Sequence, residues 1–271
     1  MIQEYINYLR NIRGYSENTA RAYRTDLQTF VGWLKANTEV QRWRDITRDH
    51  IDAYITAKAN EGLKPSSTNR HLSAISGLYK FAQRQGHDLT NPTKFESRRK
   101  TPETTPSTLL PAQINEAYKH AQGLSKTILG ILATTGVRIQ ELLNLKWEDI
   151  DFTNSTLHII GKGSKERIVH TEPNVLEDLR KVSRHSNPRL KIFYISQRHA
   201  RNLVYQTLKP YCRSSKLNPH TIRHTFATEL AKNGTNQATI TKILGHSRIE
   251  TAQKYIDIAQ LSTTHTGIIL T

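Results

Sequence analysis

The sequence predicts a mainly α-helical chain of two domains: an N-terminal helical bundle, then an α+β domain with one small antiparallel sheet. Three observations carry this prediction. Helical spacing of apolar residues fills the first third of the chain. A proline-bearing run poor in apolar residues follows. Short β-like runs then appear between Leu145 and Pro173, with helical pattern on both sides.

In "YSENTARAYRTDLQTFVGWLKAN", Ser16 is a plausible N-cap, and Ala20, Tyr23, Leu27, Phe30 and Leu34 recur every three to four residues as one apolar stripe. "IQEYINYLRNI", "TRDHIDAYITAKANEG" and "SSTNRHLSAISGLYKFAQRQG" repeat that pattern, so the first domain is a small helical bundle. The run "NPTKFESRRKTPETTPS" holds three prolines and a basic triplet and reads as an extended linker. The expected layout is a helical domain over 1–92, a linker over 93–107 and a second domain over 108–271. That second domain opens with helices to about Leu145. It passes to "STLHII" and "ERIVH", split by the turn "GKGSK", and returns to helices beyond about Pro173.

The formal net charge is +16, of which +10 falls in residues 108–271. A surplus of that size points to a polyanionic partner. No stretch approaches the roughly 20 apolar residues that span a bilayer. The N-terminus lacks the apolar core of a secretory signal, so a cytoplasmic location is expected. Cys212 is the only cysteine, which rules out an intramolecular disulfide and a cysteine zinc site.

Four stretches carry candidate chemistry. In "NPHTIRHTFAT", Asn218 can cap a helix with Pro219 in its first position, which puts His220 in the first turn, where free N–H groups favour an anion. Arg223 follows at i+3. Ile222, Phe226 and Leu230 form the opposite, buried stripe, leaving His220 and Arg223 facing outward or into a cleft. A zinc site on His220 and His224 would lack a general base, because Thr221 occupies its place, and would set Arg223 beside the metal; no metal is expected. A phosphate grip and a surface pair without chemistry both fit this stretch. In "TTGVRIQELLNL", Gly136 can end one helix, and Arg138 and Glu141 lie on one side of the next, where an ordinary exposed ion pair is the plain reading. The tip "GKGSKER" projects Lys162 and Lys165 from a tight turn without the spacing of a nucleotide cradle. In "LGHSRIETAQKYI", Ser247 and Glu250 form a capping box just after His246. Ile249, Ala252 and Ile256 make the buried stripe, with Tyr255 beside it.

Taken together, two arginines, two histidines, a lysine and a tyrosine suit phosphodiester transfer. Arginines chelate the phosphate and neutralise charge at the reacting centre. A tyrosyl oxygen can form a covalent ester that conserves the energy of the broken bond, so no ATP, metal or other cofactor is required. The order and spacing of Arg138, Lys162, His220, Arg223, His246 and Tyr255, with the words "TTGVRIQELL", "GKGSKER", "RHTFAT" and "LGHS", resemble the tyrosine recombinase (phage integrase) family, in its Xer-like branch. "YLRNIRGYSENTARAYRTDLQTFVGWL" and "NRHLSAISGLYKFA" are similar to that family's SAM-like core-binding domain.

The resemblance implies a clamp of two domains around double-stranded DNA, with 108–271 as the catalytic domain. It implies strand exchange between two sites by cleavage and rejoining, for chromosome dimer resolution or mobile-element integration and excision. Tyr255 is implied as the nucleophile forming a 3′-phosphotyrosyl bond and Lys162 as the acid for the 5′-hydroxyl. Arg138 and Arg223 hold the phosphate, His220 assists proton transfer, His246 bonds a phosphate oxygen and Glu141 supports its neighbours. Thr19, Asn69, Arg70 and Lys165 are candidate DNA contacts. The family further implies a tetramer on DNA, a nucleoid-associated location, a second recombinase or accessory protein in some members, and a C-terminal segment lent to a neighbour, here "LSTTHTGIILT". No arm-binding domain is expected before residue 1. Two departures stand outside the six: His170, where proline is usual, and Ile256, where a polar residue is common. The rival readings are type IB topoisomerase-like relaxation and a catalytically inactive DNA-binding regulator.

Overall fold

The computed structural model describes residues 1–94, 106–161, 163, 165–182, 187–214, 216–246 and 250–261. The chain divides into two compact units, Met1–Glu103 and Thr104–Thr271. The sequence-predicted linker lies mostly outside the described residues, as do Lys162, the capping residue Ser247 and the C-terminal run after Leu261.

The first unit is built from α1 (Ile2–Asn11), α2 (Glu17–Asn37), α3 (Arg48–Asn60) and α4 (Pro65–Arg84). Ser16 caps α2 by accepting the Thr19 N–H at 3.3 Å. Pro65 opens α4, where its missing N–H costs nothing. Leu27, Phe30, Ile51, Tyr54, Ile75 and Leu78 are completely enclosed in one core. The stripe predicted on α2 is bent by a charge: Tyr23 is only half-buried, while Asp26 is buried. A buried carboxylate requires partners. Asp26 takes two hydrogen bonds from Arg70, at 2.7 and 2.9 Å, and pairs with His71 Nε2 at 3.1 Å; His71 Nδ1 lies 2.6 Å from the Tyr54 hydroxyl.

The second unit contains α5 (Pro111–His120), α6 (Gly123–Thr135), α7 (Ile139–Asn144), β1 (Ile150–Asp151), β2 (Thr156–Ile160), β3 (Glu166–His170), α8 (Pro173–Val182), α9 (Gln197–Leu208), α10 (Pro219–Lys232), α11 (Gln237–Leu244) and α12 (Glu250–Leu261). The sheet is antiparallel in the order β1-β2-β3, with Leu157 opposite Val169 and Ile159 opposite Arg167. Strand β1 is two residues long, too short for periodicity to reveal, and is an addition to the sequence reading. Alternation buries Leu157, Ile159 and Val169 and exposes Ile160 and Ile168. Helix α6 is the apolar centre: Ile128, Leu129, Ile131 and Leu132 have no exposed surface, and α8, α9 and α10 pack around it. A smaller cluster of Ala227, Ile240, Leu244, Ala252 and Tyr255 joins α10, α11 and α12.

Candidate active site

The site is organised around the end of α11. Gly245 ends that helix in the left-handed conformation, φ +64°, and helix ends leave carbonyl oxygens without intrahelical partners and with negative dipole character. Three successive carbonyls there each accept from a different arginine: Ile243 from Arg167 Nε at 2.7 Å, Leu244 from Arg223 Nη2 at 2.7 Å and Gly245 from Arg138 Nη2 at 3.5 Å. His246 follows directly in the chain.

One carboxylate binds two of these arginines. Glu141 is buried and accepts the Arg138 backbone N–H and Nη1, both at 2.8 Å. It also takes Arg167 Nη2 at 2.7 Å and Nη1 at 3.3 Å. Burial pushes its carboxyl up, but the hydrogen bonds from Arg167 and Arg138 prevail and hold it below the usual carboxylate range. Three guanidiniums against one carboxylate leave a surplus of positive charge, the electrostatics of an anion receptor.

Of the two placements the sequence leaves open for Arg223, outward or into a cleft, the outward one does not occur. Arg223 is 4% exposed, and Nη1 donates to the Gly136 carbonyl at 2.6 Å. The helical wheel misjudged α10 because that helix is enclosed on most sides: Thr221, Thr225, Thr228 and Glu229 are buried with Ile222. Burial, then Arg138, pushes Arg223 down to about 10, still charged at neutral pH. Gly136 is essential to this arrangement. It has φ +61°, and a Cβ there would collide with the Phe226 ring. Gly136→Ala should therefore destabilise the second unit by about 2–4 kcal/mol, combining left-handed backbone strain with overpacking, as a urea titration would read. A midpoint equal to wild type would refute this.

Arg138 also differs from the sequence expectation. It stands before α7 as its N-cap, in extended conformation (φ −75°, ψ 148°), and not within the helix. Its partner is buried, so the pair is not the exposed surface bridge of the plain reading. The Arg138 side chain is 35% exposed, which leaves part of the guanidinium facing outward.

Tyr255 lies within the buried stripe of α12 rather than beside it, at 1% exposure, with Ala252 at 0% and Ile256 half-buried. Its hydroxyl sits 2.9 Å from His224 Nδ1. The His246 ring lies nearly parallel to the phenol, centroids 6.3 Å apart, and Lys254 Nζ is 5.2 Å from the phenol centroid. Burial raises the Tyr255 hydroxyl above its ordinary value, while Arg223 and Arg138 pull it back down. Burial and nearby cations hold three histidines neutral: His224 and His246 are pushed down to about 4, and His220 is lowered as well. The His246 Nδ1 atom is buried with no partner among the described residues.

These histidines make stability depend on pH. Their folded values lie below the ordinary value of about 6.5. Between pH 6.5 and 4 the unfolded chain therefore takes up protons that the folded chain refuses. The urea midpoint of the second unit should hold steady above pH 6.5 and fall from there toward pH 4. A midpoint unchanged between pH 7.5 and 5 would contradict this assignment.

His220 occupies the first turn of α10, where Asn218 Oδ1 accepts its backbone N–H at 2.9 Å. Lys165 lines a groove of about 520 Å³ between β3 and α11, together with Arg167, Lys242 and His246. Thr19, Asn69 and Arg70 belong to the first unit. There Thr19 shares a 2.9 Å hydrogen bond with Ser16, and the Arg70 guanidinium is engaged by Asp26. Lys162 lies outside the described residues. Two residues of the cluster escaped the sequence reading. Arg167 shares a strand face with Val169, two residues on, and an inward-pointing charge on a core face signals a buried carboxylate partner. The sequence offers His224 only as a zinc ligand; its register with Tyr255 depends on how α10 and α12 pack.

A buried phenol among histidines and arginines, in a helical unit preceded by a second helical unit, defines the class: a tyrosine recombinase. Residues 107–261 match the Phage integrase family, and residues 2–86 match the phage integrase N-terminal SAM-like domain. The chain belongs to the phage integrase family. Similar proteins include tyrosine recombinase XerD of Lacticaseibacillus casei, 29% identical with 96% of this chain and 94% of the relative covered. Tyrosine recombinase XerD of Staphylococcus epidermidis is 30% identical with the same coverage. A crystal structure of a lambda integrase dimer bound to a core site has a TM-score of 0.75 at 18% identity, covering 99% of this chain and 98% of that one; at this identity the likeness concerns the fold.

Proposed function

We propose that this site-specific recombinase cleaves and rejoins double-stranded DNA through Tyr255, and that residues 1–92 and 108–271 grip the duplex on either side of a linker over 93–107. The convergence of Arg138, Arg223 and His246 on one helix terminus beside the Tyr255 phenol carries the reading. In the first step the Tyr255 oxygen attacks phosphorus, an O–P bond forms to the 3′ side, and the bond to the 5′ oxygen breaks. The phenolic proton leaves to a neutral imidazole, and Lys162 protonates the departing 5′ oxygen. Arg138 and Arg223 bind the non-bridging oxygens and offset the charge that builds there, while His246 Nδ1, without a partner among the described residues, supplies a further bond to one of them. Rejoining to a new 5′-hydroxyl reverses these bonds without an external energy source. His220 assists proton transfer at the phosphate, Glu141 fixes the arginines, and Lys165, Thr19, Asn69 and Arg70 contact DNA.

Exchange between two duplexes requires several protomers, so the active assembly is a tetramer on DNA in the cytoplasm at the nucleoid, with a second recombinase or accessory protein as an optional partner. Among the described residues no helix is long and apolar enough to cross a membrane. The test is to express the chain in cells, denature rapidly, recover protein-linked DNA and sequence its ends. Adducts at a few discrete positions are expected. Ends scattered without sequence preference would favour topoisomerase-like relaxation, and no adduct alongside tight DNA binding by the purified protein, persisting when candidate partner recombinases are supplied, would favour the regulator reading.

A further inference from the structure

Six motif positions leave one group in contact with the reacting oxygen unassigned. The only hydrogen bond of the Tyr255 hydroxyl among the described residues is to His224 Nδ1, at 2.9 Å. The other neutral imidazoles are placed differently. The His220 ring makes no hydrogen bond among the described residues, and His220 is the exposed residue of the first turn of α10, while the His246 ring lies nearly parallel to the Tyr255 ring with 6.3 Å between centroids. We propose that His224 takes the proton of Tyr255 as the phenol oxygen attacks phosphorus, which leaves His220 free for the phosphate. This rests on the reading of Tyr255 as nucleophile.

The chemistry fits the contact. Of two neutral donors facing each other, phenol is the stronger acid, so the shared proton resides on the Tyr255 oxygen and points at an imidazole lone pair. The groups facing His224 are His220 and Arg223 on its own helix, Lys254 and Tyr255 on α12, and His246 after α11. With burial, the cations among them keep the ring neutral, so the acceptor form is fully populated at physiological pH. A phosphate entering beside Arg223 and Arg138 adds negative charge and offsets that same repulsion, making protonation of His224 less costly as the bond forms. During the step the Tyr255 O–H proton passes to His224 Nδ1, the new O–P bond forms, and the leaving 5′ atom departs with the electrons of its bond. Tyr255 is 1% exposed, so α12 must move to present it to a duplex, and transfer to His224 requires the phenol to meet Nδ1 again at the phosphate.

The test uses a duplex carrying the cleavage sequence recovered from cells, with sulfur in place of the bridging 5′ oxygen. The thiolate leaves without an acid, so the rate reports activation of the nucleophile alone. His224→Asn keeps an acceptor near the Nδ1 position but no basic nitrogen, and His224→Ala removes both. Both variants should lose about 10²–10⁴-fold in adduct rate at pH 7 while DNA affinity and circular dichroism stay as in wild type. The wild-type rate should be flat from pH 6 to 9. That of His224→Asn should rise about tenfold per pH unit as solvent takes over the proton. Rescue of the rate by His224→Asn at all pH values would mean a merely structural contact and overturn the proposal. So would a pH-dependent loss in His220→Asn with His224→Asn unaffected. Absence of adduct in wild type would instead remove the reading of Tyr255, and this inference with it.

Discussion

Tyr255→Phe should form no covalent DNA adduct in cells or on the sulfur-substituted duplex, at any pH, while binding DNA as tightly as wild type. The substitution removes one oxygen and keeps the ring in its cluster with Ala227, Ile240, Leu244 and Ala252. The expected cost to stability is small, about 1 kcal/mol, because one buried hydrogen bond is lost and His224 Nδ1 is left without its partner. The loss of chemistry is total, because no other atom of the side chain can attack phosphorus. These two magnitudes separate the nucleophile from a structural tyrosine: a structural residue would lower the melting temperature and the adduct yield together. Adducts that persist in the Phe variant would show that a different hydroxyl attacks and would dismantle the site described above.

How far the sequence alone reached depends on the range of the forces involved. Helices of the first unit follow from periodicity and from local caps such as Ser16, because the information lies within a few residues. The hairpin β2–β3 was legible for the same reason, from alternation and a glycine turn. What periodicity could not foresee are the long-range polar contacts. Asp26 sits in an apolar stripe because Arg70 and His71, from another helix, close around it. Periodicity leaves Arg223 facing either outward or into a cleft, because its acceptors, the carbonyls of Gly136 and Leu244, come from two distant helix ends. A lone sequence reveals that a charged residue exists at a helix position; it does not reveal which carbonyl will be free to receive it. The motif words identified members of the cluster, and the fold then added Arg167 and His224, whose roles are defined by partners 26 and 31 residues away.

Glu141→Ala should be the most destabilising single change in the site. Among the described residues the carboxylate is the one anion paired with both Arg138 and Arg167, and Arg167 is 7% exposed, so its removal leaves a buried guanidinium uncompensated and adds a unit of positive charge to the cluster. Breaking a buried pair in this way costs about 3–5 kcal/mol, and the N-cap of α7 loses its acceptor at the same time. For a unit of this size that corresponds to a fall in melting temperature of roughly 10 °C or more. Because Arg138 would no longer be held, adduct formation should drop about 100-fold in protein that remains folded at low temperature. The pH dependence identifies the cause. Glu141 is held below the ordinary carboxylate value, so its contribution is complete above about pH 4.5 and is lost as pH falls through its folded value. Wild type should therefore lose stability in two stages on acidification, first through the histidines between pH 6.5 and 4 and then through Glu141. Glu141→Ala should keep the first stage and lack the second. Added sulfate should restore part of its stability by supplying the missing negative charge, an effect that wild type, already carrying that carboxylate, should show to a smaller degree. A Glu141→Ala protein that melts within a degree of wild type would mean that Arg138 and Arg167 are held by the α11 carbonyls alone.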